Sequence, residues 1–236
     1  MSARVAVVLF PGTNCELDVA YAVGKLGGHA EIVFHSERDL RGADAVIVPG
    51  GFAHGDYLRT GAIARFSPIM ESVGEFARAG GPVVGICNGF QVLTEAGLLP
   101  GALQKNAGLR FLCDTVELEV TSARSVLTAG AAAGAHLRLP INHFEGNYTC
   151  DQRTLDQLRD EDRIVVRYVE NPNGSLDDIA GISNTEGTVV GLMPHPERAI
   201  EAVLGSDDGV VLMRSLLAAA AASSVPTDAL AQSAKQ

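Results

Sequence analysis

Three short runs in the N-terminal part of the chain are apolar almost throughout: residues 5–10 (V-A-V-V-L-F), 45–49 (A-V-I-V-P) and 82–86 (P-V-V-G-I). A strand with one wet face alternates apolar and polar residues. A run without alternation is covered on both faces. Between the first two runs, Leu17, Tyr21, Val23 and Leu26 recur at helical spacing before Gly27-Gly28, with Asn14 as the expected cap, and residues 31–35 give another strand. Strands alternating with helices predict a parallel sheet of βαβ units.

The second half changes character. Residues 111–120 alternate in part, residues 137–141 and 164–169 have strand character, and residues 179–183 and 188–193 flank a turn signal, N-T-E-G. These predict antiparallel strands added at the sheet edge. Residues 129–135 fit either a small-residue loop or a short helix. The chain of 236 residues is expected to form one domain over residues 1–220, with residues 221–236 a flexible tail.

Composition excludes some partners. With 28 acidic against 18 basic residues the formal charge is -10, which argues against nucleic acid and anionic membranes. The first apolar run is too short for a signal-peptide core, and none approaches the ~18 apolar residues of a membrane span. A cytoplasmic protein is expected. The four cysteines, Cys15, Cys87, Cys113 and Cys150, show no C-x-x-C pair, so neither structural zinc nor a disulfide framework is expected.

Chemistry concentrates in two places. Cys87 lies in G-x-C-x-G, between Gly85 and Gly89, where the strand of residues 82–86 turns into helical spacing at Phe90, Val92 and Leu93. That is the pattern of a nucleophile elbow, and a helix N-terminus favours thiolate over thiol. By itself the stretch also fits a small buried thiol at a strand end. The second place is M-P-H-P-E-R, residues 193–198, after another apolar run. Prolines on both sides of His195 are expected to hold the backbone extended, which puts Glu197 on the same side as His195. A carboxylate there can hold the imidazole in one tautomer. Cys87, His195 and Glu197 therefore form a candidate Cys-His-Glu triad.

Ligands in open parallel sheets bind at the carboxyl ends of strands. Gly50-Gly51 follows the strand of residues 45–49, so the N–H of Gly51 or Phe52, with that of Asn88, is a candidate oxyanion hole. The glycine-rich loop after Gly51 is expected to lead into a helix ending near Arg78. The sequence has no P-loop and no G-x-G-x-x-G, hence no recognisable ATP motif. Residues 142–148 (N-H-F-E-G-N-Y) are rich in functional types, and they also fit an ordinary solvated loop.

Five stretches between residues 5 and 200 carry a family resemblance: F-P-G-T-N-C, P-G-G-F-A-H-G-D-Y-L-R-T-G-A-I-A, G-I-C-N-G-F-Q-V-L-T-E-A-G-L-L-P, N-P-N-G-S with I-A-G-I, and G-L-M-P-H-P-E-R. Together they resemble the class I glutamine amidotransferases, and within them the glutaminase subunits of phosphoribosylformylglycinamidine synthase. The resemblance implies Cys87 as nucleophile, His195 as base and acid, and Glu197 as orienter. It further implies Gln91 as a contact to L-glutamine and Gly51 and Asn88 as oxyanion backbone. Where the family often has A-H-G-E-G, His143 and Glu145 match and Phe144 replaces a small residue, so His143 joins the implied substrate contacts.

The implied activity is hydrolysis of glutamine to glutamate and ammonia. The implied partners are a synthetase subunit, which takes the ammonia to make formylglycinamidine ribonucleotide, and a small accessory subunit. ATP and Mg²⁺ would sit on the synthetase, with no cofactor or metal in this chain. The expected fold is α/β: a flavodoxin-like open, mostly parallel sheet flanked by helices, with an antiparallel extension in the second half. Alternatives are another amidotransferase of the class, which only the loop from His54 to Arg65 argues against, or a cysteine hydrolase or redox protein on a similar fold.

Overall fold

A computed structural model describes residues 2–223. In chain order it has β1 (Arg4–Leu9), α1 (Glu16–Lys25), β2 (His29–Phe34), β3 (Ala45–Val48), α2 (Pro68–Arg78), β4 (Val83–Ile86) and α3 (Asn88–Glu95). There follow β5 (Ala102–Gln104), β6 (Leu112–Val120), β7 (His136–His143), β8 (Asn147–Thr149), α4 (Gln152–Asp160) and β9 (Ile164–Tyr168). The chain then forms β10 (Ile179–Ser183), β11 (Val189–Leu192) and α5 (Gly209–Ala222).

Nine strands make one mixed sheet in the order β2-β1-β3-β4-β11-β10-β9-β6-β7, and β5 pairs with β8 separately. Neighbours from β2 to β11 are parallel. Those from β11 to β7 are antiparallel. β3, β4 and β11 are buried at every position, while β6 and β7 alternate along much of their length. The flavodoxin-like parallel part and its antiparallel extension are both present, and the expected hairpin is the β10–β11 pair.

One pairing positions everything that follows. β11, the last strand in the chain, lies parallel to β4 with Leu192 opposite Ile86, and β3 flanks β4 on its other side with Val48 opposite Gly85. Three carboxyl ends, distant in sequence, therefore leave the sheet together.

Some local expectations are corrected. α1 buries Val19, Ala22 and Val23, whereas Leu17 and Tyr21 are 66% and 54% exposed. The 19-22-23 row gives the tighter helical face, and Tyr21 instead donates its hydroxyl to Glu201 on the surface. The N-cap of α1 is Cys15, without a side-chain cap hydrogen bond, so Asn14 does not serve. The helix expected to end near Arg78 is present from Pro68, and the loop before it forms short 3₁₀ turns around left-handed residues at His54 and Gly55. Residues 129–135 form turns. α5 runs to Ala222, so residues 221 and 222 are helical; the remainder of the expected flexible tail, residues 224–236, lies outside the described residues. Among the described residues no helix is long and apolar enough to cross a membrane.

Candidate active site

Cys87 sits at the turn from β4 to α3 with φ 52 and ψ -106. A non-glycine residue held there costs on the order of 1–3 kcal/mol, which the surroundings must overcome. They do so through backbone pairing. The Cys87 N–H donates to Leu192 O at 2.8 Å, and its carbonyl accepts from the N–H of Phe90 at 3.0 Å. The flanking glycines are required by contact: a Cβ on Gly89 would stand 1.8 Å from Val48 O, and one on Gly85 would stand 2.6 Å from Gly89 O. The G-x-C-x-G pattern thus records how closely α3 approaches β3 and β4.

His195 leaves β11 on the adjacent path. Its N–H donates to Pro140 O at 2.8 Å, tying it to β7. Its Nδ1 donates to Glu197 Oε1 at 2.6 Å, with both residues almost wholly buried. The expected reason for this pairing needs correction. The backbone is not extended through the motif; residues Pro196–Arg198 form a 3₁₀ turn that swings Glu197 back under the ring. Burial alone would lower the His195 pKa, but Glu197, Cys87 and Cys15 outweigh it and hold the imidazole well above its ordinary value. Its Nε2 is buried without a hydrogen-bond partner among the described residues. An imidazolium there, beside Cys87, is the partner a thiolate needs.

Gly50 keeps this space open. A Cβ there would lie 2.7 Å from His195 Cε1, 3.1 Å from Cys15 Sγ and 3.4 Å from Cys87 Cβ. Cys15, His195 and Glu197 offer ligand atoms within 4.8 Å of one another and could hold a metal. Those atoms already serve the chain: Glu197 Oε1 accepts the His195 Nδ1–H, and Arg198 Nη2 donates to Cys15 Sγ at 3.3 Å.

The expected oxyanion donors separate. The Phe52 N–H donates to Gly12 O at 2.8 Å, so it is taken. The N–H groups of Gly51 and Asn88 have no acceptor among the described residues. Gly51, φ 145, is pressed against the loop at residues 12–14, and its Cβ would meet Asn14 N at 2.6 Å.

A cavity of about 180 Å³ opens on Cys87 and includes Gly51, Asp56, Gln91, Asn142, His143 and Glu145 in its wall. Gln91 ties α3 to the loop after β7, its Nε2 donating to Glu145 O and its Oε1 accepting from Asn88 at 2.8 Å. The Cys87 thiol lies 3.7 Å from Asn142 O. Residues 142–148 are therefore not a solvated loop. His143 is 3% exposed, and Tyr148 is fully buried, stacked on Phe90 with ring centroids 6.0 Å apart. Burial and His195 push the His143 pKa down to about 4.

Sequence reasoning missed Cys15, Gly50, Asp56 and Asn142. Cys15 and Asp56 both lie inside stretches that carry the family resemblance, F-P-G-T-N-C and G-G-F-A-H-G-D, so a signal existed. Asn142 contributes a backbone carbonyl, which no residue type announces.

Comparison with known proteins identifies the family. Residues 2–207 match the model of the CobB/CobQ-like glutamine amidotransferase domain. Phosphoribosylformylglycinamidine synthase subunit PurQ of Rubrobacter xylanophilus is 55% identical over 217 residues, covering 92% of this chain and 99% of the relative. The subunit of the same name from Lacticaseibacillus paracasei is 53% identical over 215 residues, covering 91% of this chain and 94% of the relative. A chain in the structure of PurLQS from Thermotoga maritima superimposes with a TM-score of 0.86 at 39% identity, covering 92% of this chain and 99% of that one.

Proposed function

The chain belongs to the CobB/CobQ-like glutamine amidotransferase family, and from that premise we infer that it is the glutaminase subunit of a phosphoribosylformylglycinamidine synthase. It hydrolyses L-glutamine to glutamate and ammonia. It passes the ammonia to a synthetase subunit, assembled with a small accessory subunit, for formylglycinamidine ribonucleotide synthesis in purine biosynthesis. Residues 1–220 act as one amidotransferase domain in the cytoplasm, and the ATP and Mg²⁺ of synthesis belong to the synthetase.

The observation that carries the residue assignment is the buried His195–Glu197 pair, with an unpartnered Nε2, on the strand next to the Cys87 elbow. The Cys87 thiolate attacks the side-chain carboxamide carbon. The resulting oxyanion lies against the N–H groups of Gly51 and Asn88, each worth about 10²–10³ in rate. His195 gives its Nε2 proton to the departing ammonia, then takes one from the water that cleaves the thioester. Glu197 keeps Nδ1 protonated throughout and stabilises the imidazolium.

The test is glutamate release from glutamine, with and without the synthetase and accessory subunits and their substrates. Low release alone, a large rise in the complex and none with Cys87→Ala is the expected result. The Cys87→Ala complex should still synthesise from added ammonia. Equal loss of glutamine- and ammonia-dependent synthesis refutes the division of labour.

A further inference from the structure

The cavity beside Cys87 carries two carboxyl side chains for which the triad has no use. Asp56 and Glu145 both line it, and among the described residues no lysine or arginine does. Asp56 stands on a left-handed residue, φ 53, and is steadied from α3 by Asn88, whose Nδ2 donates to its Oδ1 at 3.2 Å. The same Asn88 side chain accepts from the Ala53 N–H at 2.9 Å, fixing the loop that presents Asp56. The Glu145 side chain has no hydrogen bond or ion pair among the described residues; only its backbone carbonyl is used, by Gln91. Burial and the charge of Glu145 push Asp56 up to about 6. A cation placed beside a carboxyl group shifted in this way favours its charged form.

A third group on the same wall points the same way. His143 is 3% exposed and neutral, and its Nδ1 donates to Asn106 Oδ1 at 3.1 Å. Its Nε2 is left as a buried acceptor with no protein partner among the described residues. The carboxyl oxygens of Asp56 and Glu145 and the His143 Nε2 all accept hydrogen bonds, so the matching part of a ligand is a donor with positive charge.

We propose that Asp56 and Glu145, with His143 Nε2, bind the α-ammonium of the substrate and make the site selective for an α-amino-acid amide over a simple amide. This deepens the glutaminase reading and rests on it. The side-chain carboxamide points to Cys87 and the oxyanion donors, and the amino-acid head meets the acidic wall.

The test uses the full synthase complex and compares L-glutamine with 4-carbamoylbutanoate, which is glutamine without its amino group. Asp56→Asn keeps an acceptor for Asn88, and Glu145→Gln keeps the carbonyl used by Gln91. In each variant KM for L-glutamine should rise about 10- to 100-fold, the range of a charge-assisted hydrogen bond, with kcat held. The preference for glutamine over the desamino amide should shrink by the same factor. A merely structural role would weaken both substrates alike and leave that preference intact. An unchanged preference in both variants, with a normal wild type, overturns the proposal alone. No glutamate from the wild-type complex overturns the glutaminase reading and the proposal with it.

Discussion

Gly50→Ala is the sharpest probe of the site, because it adds one methyl group where three elements of the machinery meet. The glycine's φ is not left-handed, so alanine's difficulty is space. Its Cβ would stand 2.7 Å from His195 Cε1, against an ordinary carbon–carbon contact of about 3.5 Å, so the ring must give about 0.8 Å. The ring has little room to do so: Nδ1 is held by Glu197 at 2.6 Å and the backbone by Pro140 at 2.8 Å. A displacement near 1 Å costs about 10² in rate. Overpacking at one methyl costs about 1–3 kcal/mol, which leaves the fold standing. The assay is glutamate release by the complex, with ammonia-dependent synthesis and thermal unfolding as controls. The expected result is a loss of about 10²-fold in the first with the others retained. Gly89→Ala is the contrast. Its Cβ would lie 1.8 Å from the backbone oxygen of Val48, which no rotamer can relieve, so it should damage folding as well. Glutaminase activity close to wild type in Gly50→Ala would refute the claim that the imidazole is held without slack.

Three further outcomes are expected. Glu197→Gln removes the strongest influence raising the His195 pKa, so activity should fall by about 10²–10⁴ and the alkaline limb of the pH profile should move to lower pH; an unmoved limb counts against Glu197 as orienter. Asp56 is pushed up to about 6 and takes a proton as the pH falls through that value, while His143 stays neutral down to about 4. KM for glutamine should therefore rise below pH 6 and stay flat above it, with Asp56→Asn abolishing the rise; a parallel rise in the variant would assign the titration elsewhere. Phe90→Ala empties a buried site between Tyr148 and Gly191, whose added Cβ would lie 2.1 Å from the ring. It should destabilise the chain by about 3–5 kcal/mol in denaturant unfolding, and a change below about 1 kcal/mol would mean that the elbow helix is not anchored there.

Much of this protein is decided locally. Runs without alternation fix which strands are covered on both faces, and the Gly85-Cys87-Gly89 spacing fixes a turn that only close backbone packing explains. The Pro-His-Pro-Glu segment names an acid–base pair by residue type alone, even though the chain joins the two by a 3₁₀ turn and not an extended one. What the sequence leaves open depends on contacts between distant segments. Periodicity put Leu17 and Tyr21 toward the core, but the packing of α1 on the sheet chose Val19, Ala22 and Val23. Residue type made the Phe52 N–H a candidate donor, and a pairing with Gly12 removed it. The acidic wall draws Asp56 from the loop after β3 and Glu145 from the loop after β7. No local rule joins residues so far apart. They meet because β11 inserts beside β4 and the β6–β7 ribbon returns to it, and such non-local pairing is selected by the burial of the whole sheet.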